Sequence, residues 1–283
     1  MSRALLAFAL AGALSGCAVH VSDTSFIKPQ VAGVLDAVTT STMLPAGYSV
    51  STDFISSADG EKLYRARFTH PDSKSVIVFF NGNLSTVEKH AAQTAAKLAK
   101  DWHPDFVFVD YRGYGQSSGK PTVEMLQADA LRVFEDEQRR ARSSSKKLVL
   151  AGYSIGGAVA GAVLESRQPD AVLLVATVTD VKDMMARVMP AYTKLFFRVS
   201  VDPRLYAIDN RRSLSKYSGP LLVVAGERDS QTPAAMSKAL FDAAATPVAN
   251  KTLVVATGAE HGEVLDAPEF REALRLFVAE NGL

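Results

Sequence analysis

Four runs in this chain, Val76-Ile77-Val78-Phe79-Phe80, Phe106-Val107-Phe108-Val109-Asp110, Leu148-Val149-Leu150-Ala151 and Leu221-Leu222-Val223-Val224-Ala225, are apolar at nearly every position. A strand with one wetted face alternates polar and apolar residues, so unbroken runs of this length belong to a sheet covered on both faces. Segments of helical period lie between them, at 86–100, 123–140, 155–166, 234–244 and 269–280, with Met125, Leu126, Ala130, Leu131 and Phe134 expected to face the core in the second. Pro121, Pro233 and Pro268 stand just before or inside helix starts, where a missing N–H costs little. Candidate strands lie at 48–55 and 62–69, and then at 75–80, 106–110, 147–151, 171–176, 221–225 and 252–256. The first two alternate more and carry charges, which suits the edge of a mixed sheet. Strands alternating with helices in this way predict an α/β fold, a three-layer sandwich around a mostly parallel eight-stranded sheet.

One interval is too long for a simple crossover. Between Ala176 and Leu221 the chain runs through an apolar and basic stretch with Met184, Met185, Met189, Tyr192, Leu195, Phe196 and Phe197. Residues 177–220 therefore read either as two surface helices packed on the body or as a small cap lining an apolar pocket.

With 47% of its residues apolar, the chain is outside the disordered class. Its 31 Lys+Arg against 30 Asp+Glu leave a net charge of +1, too little to gather a polyanion, so nucleic acid is not an expected partner. The single cysteine rules out an intramolecular disulfide and thiolate-rich zinc sites. No metal and no organic cofactor are called for.

That cysteine follows Arg3 and the apolar run 4–14, which is shorter than the roughly 20 residues of a membrane span and suits the core of a signal peptide. The tetrapeptide Leu14-Ser15-Gly16-Cys17 resembles the bacterial lipoprotein processing site, which implies a signal peptide over 1–16, lipidation of Cys17, a tether and lead-in over 17–46, and a body over 47–283. Ordinary secretion with a nearby cut, or an uncleaved membrane-associated segment, are the alternatives. The resemblance implies a protein of the bacterial cell envelope held on a membrane by an N-terminal lipid anchor. Ala18 is not the aspartate that resembles an inner-membrane retention signal, so the outer membrane facing the periplasm is expected where there are two membranes.

After the third apolar run comes Gly152-Tyr153-Ser154-Ile155-Gly156-Gly157 and then a helical segment. This is a G-x-S-x-G turn in the strand–turn–helix context that such a nucleophile needs, with glycines where side chains would collide on a sharp bend. A serine needs a base and a group that orients the base. Of the histidines at 20, 70, 90, 103 and 261, only His261 follows a strand late in the chain. Asp229, after the strand at 221–225, is the expected acid, with Glu227 and Asp180 as competitors. An oxyanion requires two backbone donors. Ile155 is the first, and the loop after Phe80 supplies the second, at Asn83 with Leu84 as the alternative. Leu84, Tyr153, Met184, Met185, Met189, Phe196 and Phe197 are the candidate pocket residues.

Over roughly residues 48–280 the chain resembles the α/β-hydrolases. Within them, Phe79-Phe80-Asn81-Gly82-Asn83 and Asp110-Tyr111-Arg112-Gly113-Tyr114-Gly115-Gln116-Ser117-Ser118-Gly119 resemble the membrane-associated BEM46-like branch, which commonly reads F-F-H-G-N and D-Y-R-G-Y-G-x-S-x-G there. Asn81 departs from the usual histidine. The resemblance implies that Asp110 and Arg112 brace the floor of the site. The expected activity is cleavage of a carboxylic ester or thioester, with a small-molecule or lipid-like acyl substrate. A serine peptidase or amidase, and a non-catalytic lipid-anchored binding protein, are the rival readings.

Overall fold

The computed structural model describes residues 17–100, 102–188 and 197–283. Its strands are β1 (Cys17–Val21), β2 (Ser49–Ser56), β3 (Lys62–Thr69), β4 (Ser75–Phe80), β5 (Asp105–Val109), β6 (Lys147–Tyr153), β7 (Ala171–Val175), β8 (Phe197–Val201), β9 (Leu221–Gly226) and β10 (Lys251–Ala256). One 8-stranded sheet takes the order β10-β9-β7-β6-β4-β5-β3-β2. From β10 to β5 all neighbours are parallel, and β3 and β2 close the other edge antiparallel. Of the two charged, alternating segments, β2 forms the edge and meets water along most of its length, whereas β3 is one strand in and largely buried, with its Arg65 paired to Asp53, Asp136 and Glu137.

The apolar runs are buried along their whole length because each face of the sheet has its own core. Val76, Val78, Phe80, Val107, Leu148 and Leu150 point to one side. Ile77, Phe79, Phe106, Phe108, Val149 and Ala151 point to the other. The helices are α1 (Asp23–Phe26), α2 (Ala37–Met43), α3 (Val87–Leu98), α4 (Val123–Ser143), α5 (Ile155–Leu164), α6 (Val181–Val188), α7 (Asn210–Leu214), α8 (Ala234–Ala243) and α9 (Pro268–Asn281). α4 and α5 cover the first core, and α3 and α9 cover the second. On α4, Leu126, Ala130, Val133 and Phe134 make the buried stripe, while Met125 and Leu131 lie at its half-buried margins. The Thr122 side chain starts that helix by accepting from Met125 N at 3.2 Å.

The stretch after β7 holds α6, β8, a 3-10 turn at Pro203–Ala207 and α7. β8 does not join the main sheet. It pairs in parallel with β1, from Cys17 opposite Phe197 to Val21 opposite Val201. Beyond β1 the lead-in buries Ile27, Leu35 and Leu44 in the body. Among the described residues no helix is long and apolar enough to cross a membrane.

Candidate active site

The sheet delivers three side chains to one place from the C-terminal ends of β6, β9 and β10. Ser154 sits between β6 and α5 at φ 57° and ψ −122°, a conformation that L residues adopt only when their surroundings enforce it. Two contacts enforce it here: Ser154 N donates to the Val175 carbonyl at 3.0 Å, and Thr177 Oγ1 donates to the Ser154 carbonyl at 2.6 Å. A Cβ at Gly156 would run into the Phe80 carbonyl oxygen, so this bend admits only glycine there.

Ser154 Oγ lies 3.0 Å from His261 Nε2, and His261 Nδ1 lies 2.7 Å from Asp229 Oδ2. The Asp229 side chain is fully buried. Its Oδ1 accepts from Gln231 N and Thr232 N, each at 2.8 Å, and its Oδ2 accepts from Thr232 Oγ1 at 2.7 Å. Burial pushes this carboxyl up, but the hydrogen bonds from His261 and Thr232 outweigh it and hold the group below its ordinary range. An ionised Asp229 accepts a hydrogen bond from His261 Nδ1–H, which keeps the ring proton on that nitrogen. Nε2 is then the acceptor facing the serine hydroxyl.

The two rival acids are engaged elsewhere. Glu227 accepts from Gly258 N at 2.7 Å. Asp180 pairs with Arg211 and accepts from Asp183 N at 2.8 Å. Glu263 accepts from Glu260 N at 2.9 Å and so closes the 3-10 turn His261–Asp266 that carries the histidine. Of the remaining histidines, His70 stacks on His103 with ring centroids 4.6 Å apart.

Ile155 is the first residue of α5, where a helix leaves its N–H groups without intrahelical acceptors and its dipole favours negative charge. Asn83 lies in the loop after β4. Both border, with Ser154, a cavity of about 300 Å³ walled by Phe26, Val178, Met184, Gln231, Thr232 and Met236. Leu84 has φ 65° and is 54% exposed, outside that wall. Tyr153 is also outside it: its ring lies beside His261, centroids 5.1 Å apart, and its hydroxyl donates to the His261 carbonyl at 2.9 Å. Met185 packs against the core rather than the cavity. Met189 and Phe196 lie outside the described residues. Phe197 opens β8 opposite Cys17.

The loop after β4 is braced from the second glycine-rich block. Tyr111 donates to the Asn81 carbonyl at 2.6 Å, and Asp110 Oδ1 accepts from Val87 N at 2.7 Å, at the start of the helix that leaves the loop. Asp110 Oδ2 accepts from Gln116 N at 3.1 Å, where Gly115 holds φ 50°. Arg112 serves elsewhere. It reaches Asp59 and Asp129, joining the block to the β2–β3 hairpin and α4 instead of to the floor of the site.

Phe26, Thr177, Val178, Gln231, Thr232 and Met236 were not legible as site residues. Thr232 carried a signal, a hydroxyl three residues after the acid and directly before the proline that opens α8. Phe26 carried none.

Fold and site together define an α/β-hydrolase with the serine-hydrolase arrangement of side chains. Residues 71–211 match the family described as serine aminopeptidase, S33, a span that includes Ser154 and ends before Asp229 and His261. Similarity to BEM46-like hydrolases is weak: the chain is 27% identical to protein bem46 of Schizosaccharomyces pombe, covering 75% of this chain and 70% of that protein. An uncharacterized protein of Mycobacterium tuberculosis is 29% identical, covering 86% and 83%. Lysophosphatidylserine lipase ABHD12 of Danio rerio is 27% identical over 61% of this chain and 48% of its own. Among solved structures, the Pyrococcus furiosus esterase Pf2001 shares the fold with a TM-score of 0.68 and 17% identity, covering 90% of this chain and 98% of that one.

Proposed function

We propose that the protein hydrolyses a carboxylic ester or thioester with an apolar acyl group, through an acyl-enzyme on Ser154. The observation that carries this reading is the hydrogen-bonded line from Ser154 Oγ through both nitrogens of His261 to the buried carboxylate of Asp229. His261 Nε2 takes the hydroxyl proton as Oγ attacks the acyl carbon, and the N–H groups of Ile155 and Asn83 receive the oxyanion. The same proton then passes from His261 to the departing alkoxide or thiolate. A water, deprotonated by His261, attacks the acyl-serine, and the proton returns to Oγ as the acid leaves. Asp229 keeps the imidazole in the required tautomer and stabilises its cation.

The apolar wall of Phe26, Val178, Met184 and Met236 supports an acyl group on the substrate. The match to a family described as serine aminopeptidase favours a second reading, amide cleavage by the same side chains. The sequence 1–17 supports lipidation of Cys17 and a place on the bacterial cell envelope, with the outer membrane facing the periplasm favoured where two membranes exist.

Hydrolysis of p-nitrophenyl esters from C2 to C16 by the chain starting at Ala18, beside S154A, tests the reading. Turnover abolished by the substitution is expected, whereas equal background rates across the series would overturn ester cleavage. Turnover of aminoacyl anilides in place of esters would instead select the amide reading.

A further inference from the structure

Before the body begins, the lead-in borders the cavity beside Ser154, and hydrogen bonds to Asn83, Tyr114, Gly115 and Val123 hold it there. The Asn83 carboxamide donates through Nδ2 to the Phe26 carbonyl at 2.5 Å. Its Oδ1 accepts from the Tyr114 hydroxyl at 2.8 Å and from Lys28 N at 3.1 Å. Lys28 N also reaches the Tyr114 hydroxyl at 2.9 Å, and Gly115 N donates to the Gln30 carbonyl at 2.7 Å. Behind Phe26, Asp23 Oδ1 accepts from Val123 N at 3.0 Å. The Phe26 side chain is a wall of the cavity together with Ile155 and Met184, all three partly buried against the core.

Asn83 therefore has two faces. Its backbone lies on the loop that receives the oxyanion, and its side chain anchors the segment that carries a wall of the acyl cavity. The hydrogen bond from the Asn83 carboxamide to the Phe26 carbonyl links this wall of the cavity to the loop after β4. Nothing in the lead-in's composition demands this. It is a consequence of where four hydrogen bonds converge on one carboxamide, the fourth being from Leu84 N to Oδ1 at 3.1 Å.

We infer that residues 22–30 are a working part of the active site, in which Phe26 sets the acyl length accepted and the Asn83 carboxamide is the positioning group that couples that wall to the oxyanion loop. The inference rests on the hydrolase reading given above.

The test is the chain-length profile of kcat and KM with p-nitrophenyl esters from C4 to C16, for the full mature chain, S154A, Phe26→Ala, Phe26→Trp, Asn83→Ala and the Phe26→Ala/Asn83→Ala pair. Phe26→Ala is expected to raise kcat/KM for the longest esters relative to C4 by about tenfold, and Phe26→Trp to move the optimum to shorter chains. Asn83→Ala is expected to lower kcat by about tenfold and to flatten the same profile, with the double variant no flatter than Phe26→Ala alone. The opposite signs for Trp and Ala keep the outcome readable even if one variant folds poorly, because loss of stability lowers all esters alike. Ser154-dependent turnover whose profile is identical in all Phe26 variants, or effects of the two sites that simply add, would overturn this inference and leave the hydrolase reading standing. Absence of Ser154-dependent turnover in the parent protein would overturn both.

Discussion

The hydroxyl of Tyr153 donates to the backbone carbonyl of His261 at 2.9 Å. The residue immediately before the serine thus holds the loop of the histidine that faces it, across a separation of 108 positions. Burial pushes the Tyr153 hydroxyl up to about 12, so it remains a donor through the whole neutral range. Tyr153→Phe is expected to lower kcat by about fivefold with little change in KM, the equivalent of one net hydrogen bond of about 1 kcal/mol. Steady-state kinetics on a short p-nitrophenyl ester read the split. A change confined to KM would mean that Tyr153 serves the substrate and not the histidine.

Asp229 meets His261, while Glu227 and Asp180 are committed to Gly258 and Arg211. Asp229→Asn is expected to cost on the order of 10⁴-fold in kcat, because an amide stabilises the wrong imidazole tautomer. Glu227→Gln and Asp180→Asn are expected to stay within a few-fold of the parent. A large loss in either of these, with Asp229→Asn mild, would reassign the acid.

Thr232 brings a backbone N–H and a hydroxyl to Asp229, and the hydroxyl also stands 3.2 Å from His261 Nδ1 and 2.9 Å from the Ala176 carbonyl. Thr232→Val keeps the shape and removes the hydroxyl. One fewer donor lets the Asp229 carboxyl rise, and a kcat loss of about tenfold is expected. Thr232→Ser is expected to restore most of the rate. Parent-like turnover in Thr232→Val, with the loss appearing in Thr232→Ser instead, would mean that the methyl group, not the hydroxyl, matters.

On the sheet edge, Asp53 accepts from Arg65 at 2.7 and 2.8 Å and from Arg67 at 2.9 Å. The hydrogen bonds from Arg65, with further help from Arg67, bring its carboxyl down from 3.8 to about 2. A lowered carboxyl stabilises the folded state above its unfolded value and loses that contribution as pH falls through the folded one. Urea midpoints are therefore expected to drop between about pH 4 and pH 2 in the parent protein, less steeply in Asp53→Asn. The half-exposed position of Asp53 keeps the difference small. Parallel curves for the two proteins would count against the ion pair.

The central sheet was legible because its strands are locally encoded: β3 and β4 occupy the intervals read from the residues, and the ends of the others moved by one or two positions. Ser154 was legible because a strained bend between a buried strand and a small-residue helix leaves glycines in fixed places. His261 and Asp229 followed from topology, since parallel strands deliver their C-terminal loops to one edge. The β1–β8 pair was invisible. Cys17 and Phe197 are 180 residues apart, and parallel pairing over such a distance has no local pattern. Phe26 escaped for a related reason: what holds it in the site is a carboxamide on another loop, and single hydrogen bonds between side chain and backbone leave no periodicity in a sequence.

Covalent capture of the serine addresses the central claim most directly. The mature chain, S154A and H261A would be treated with a fluorophosphonate and read by intact mass and peptide mapping. One adduct per chain, on Ser154, absent in S154A and formed far more slowly in H261A, is the expected result. No adduct, or an equal adduct on S154A, would contradict a serine activated by His261.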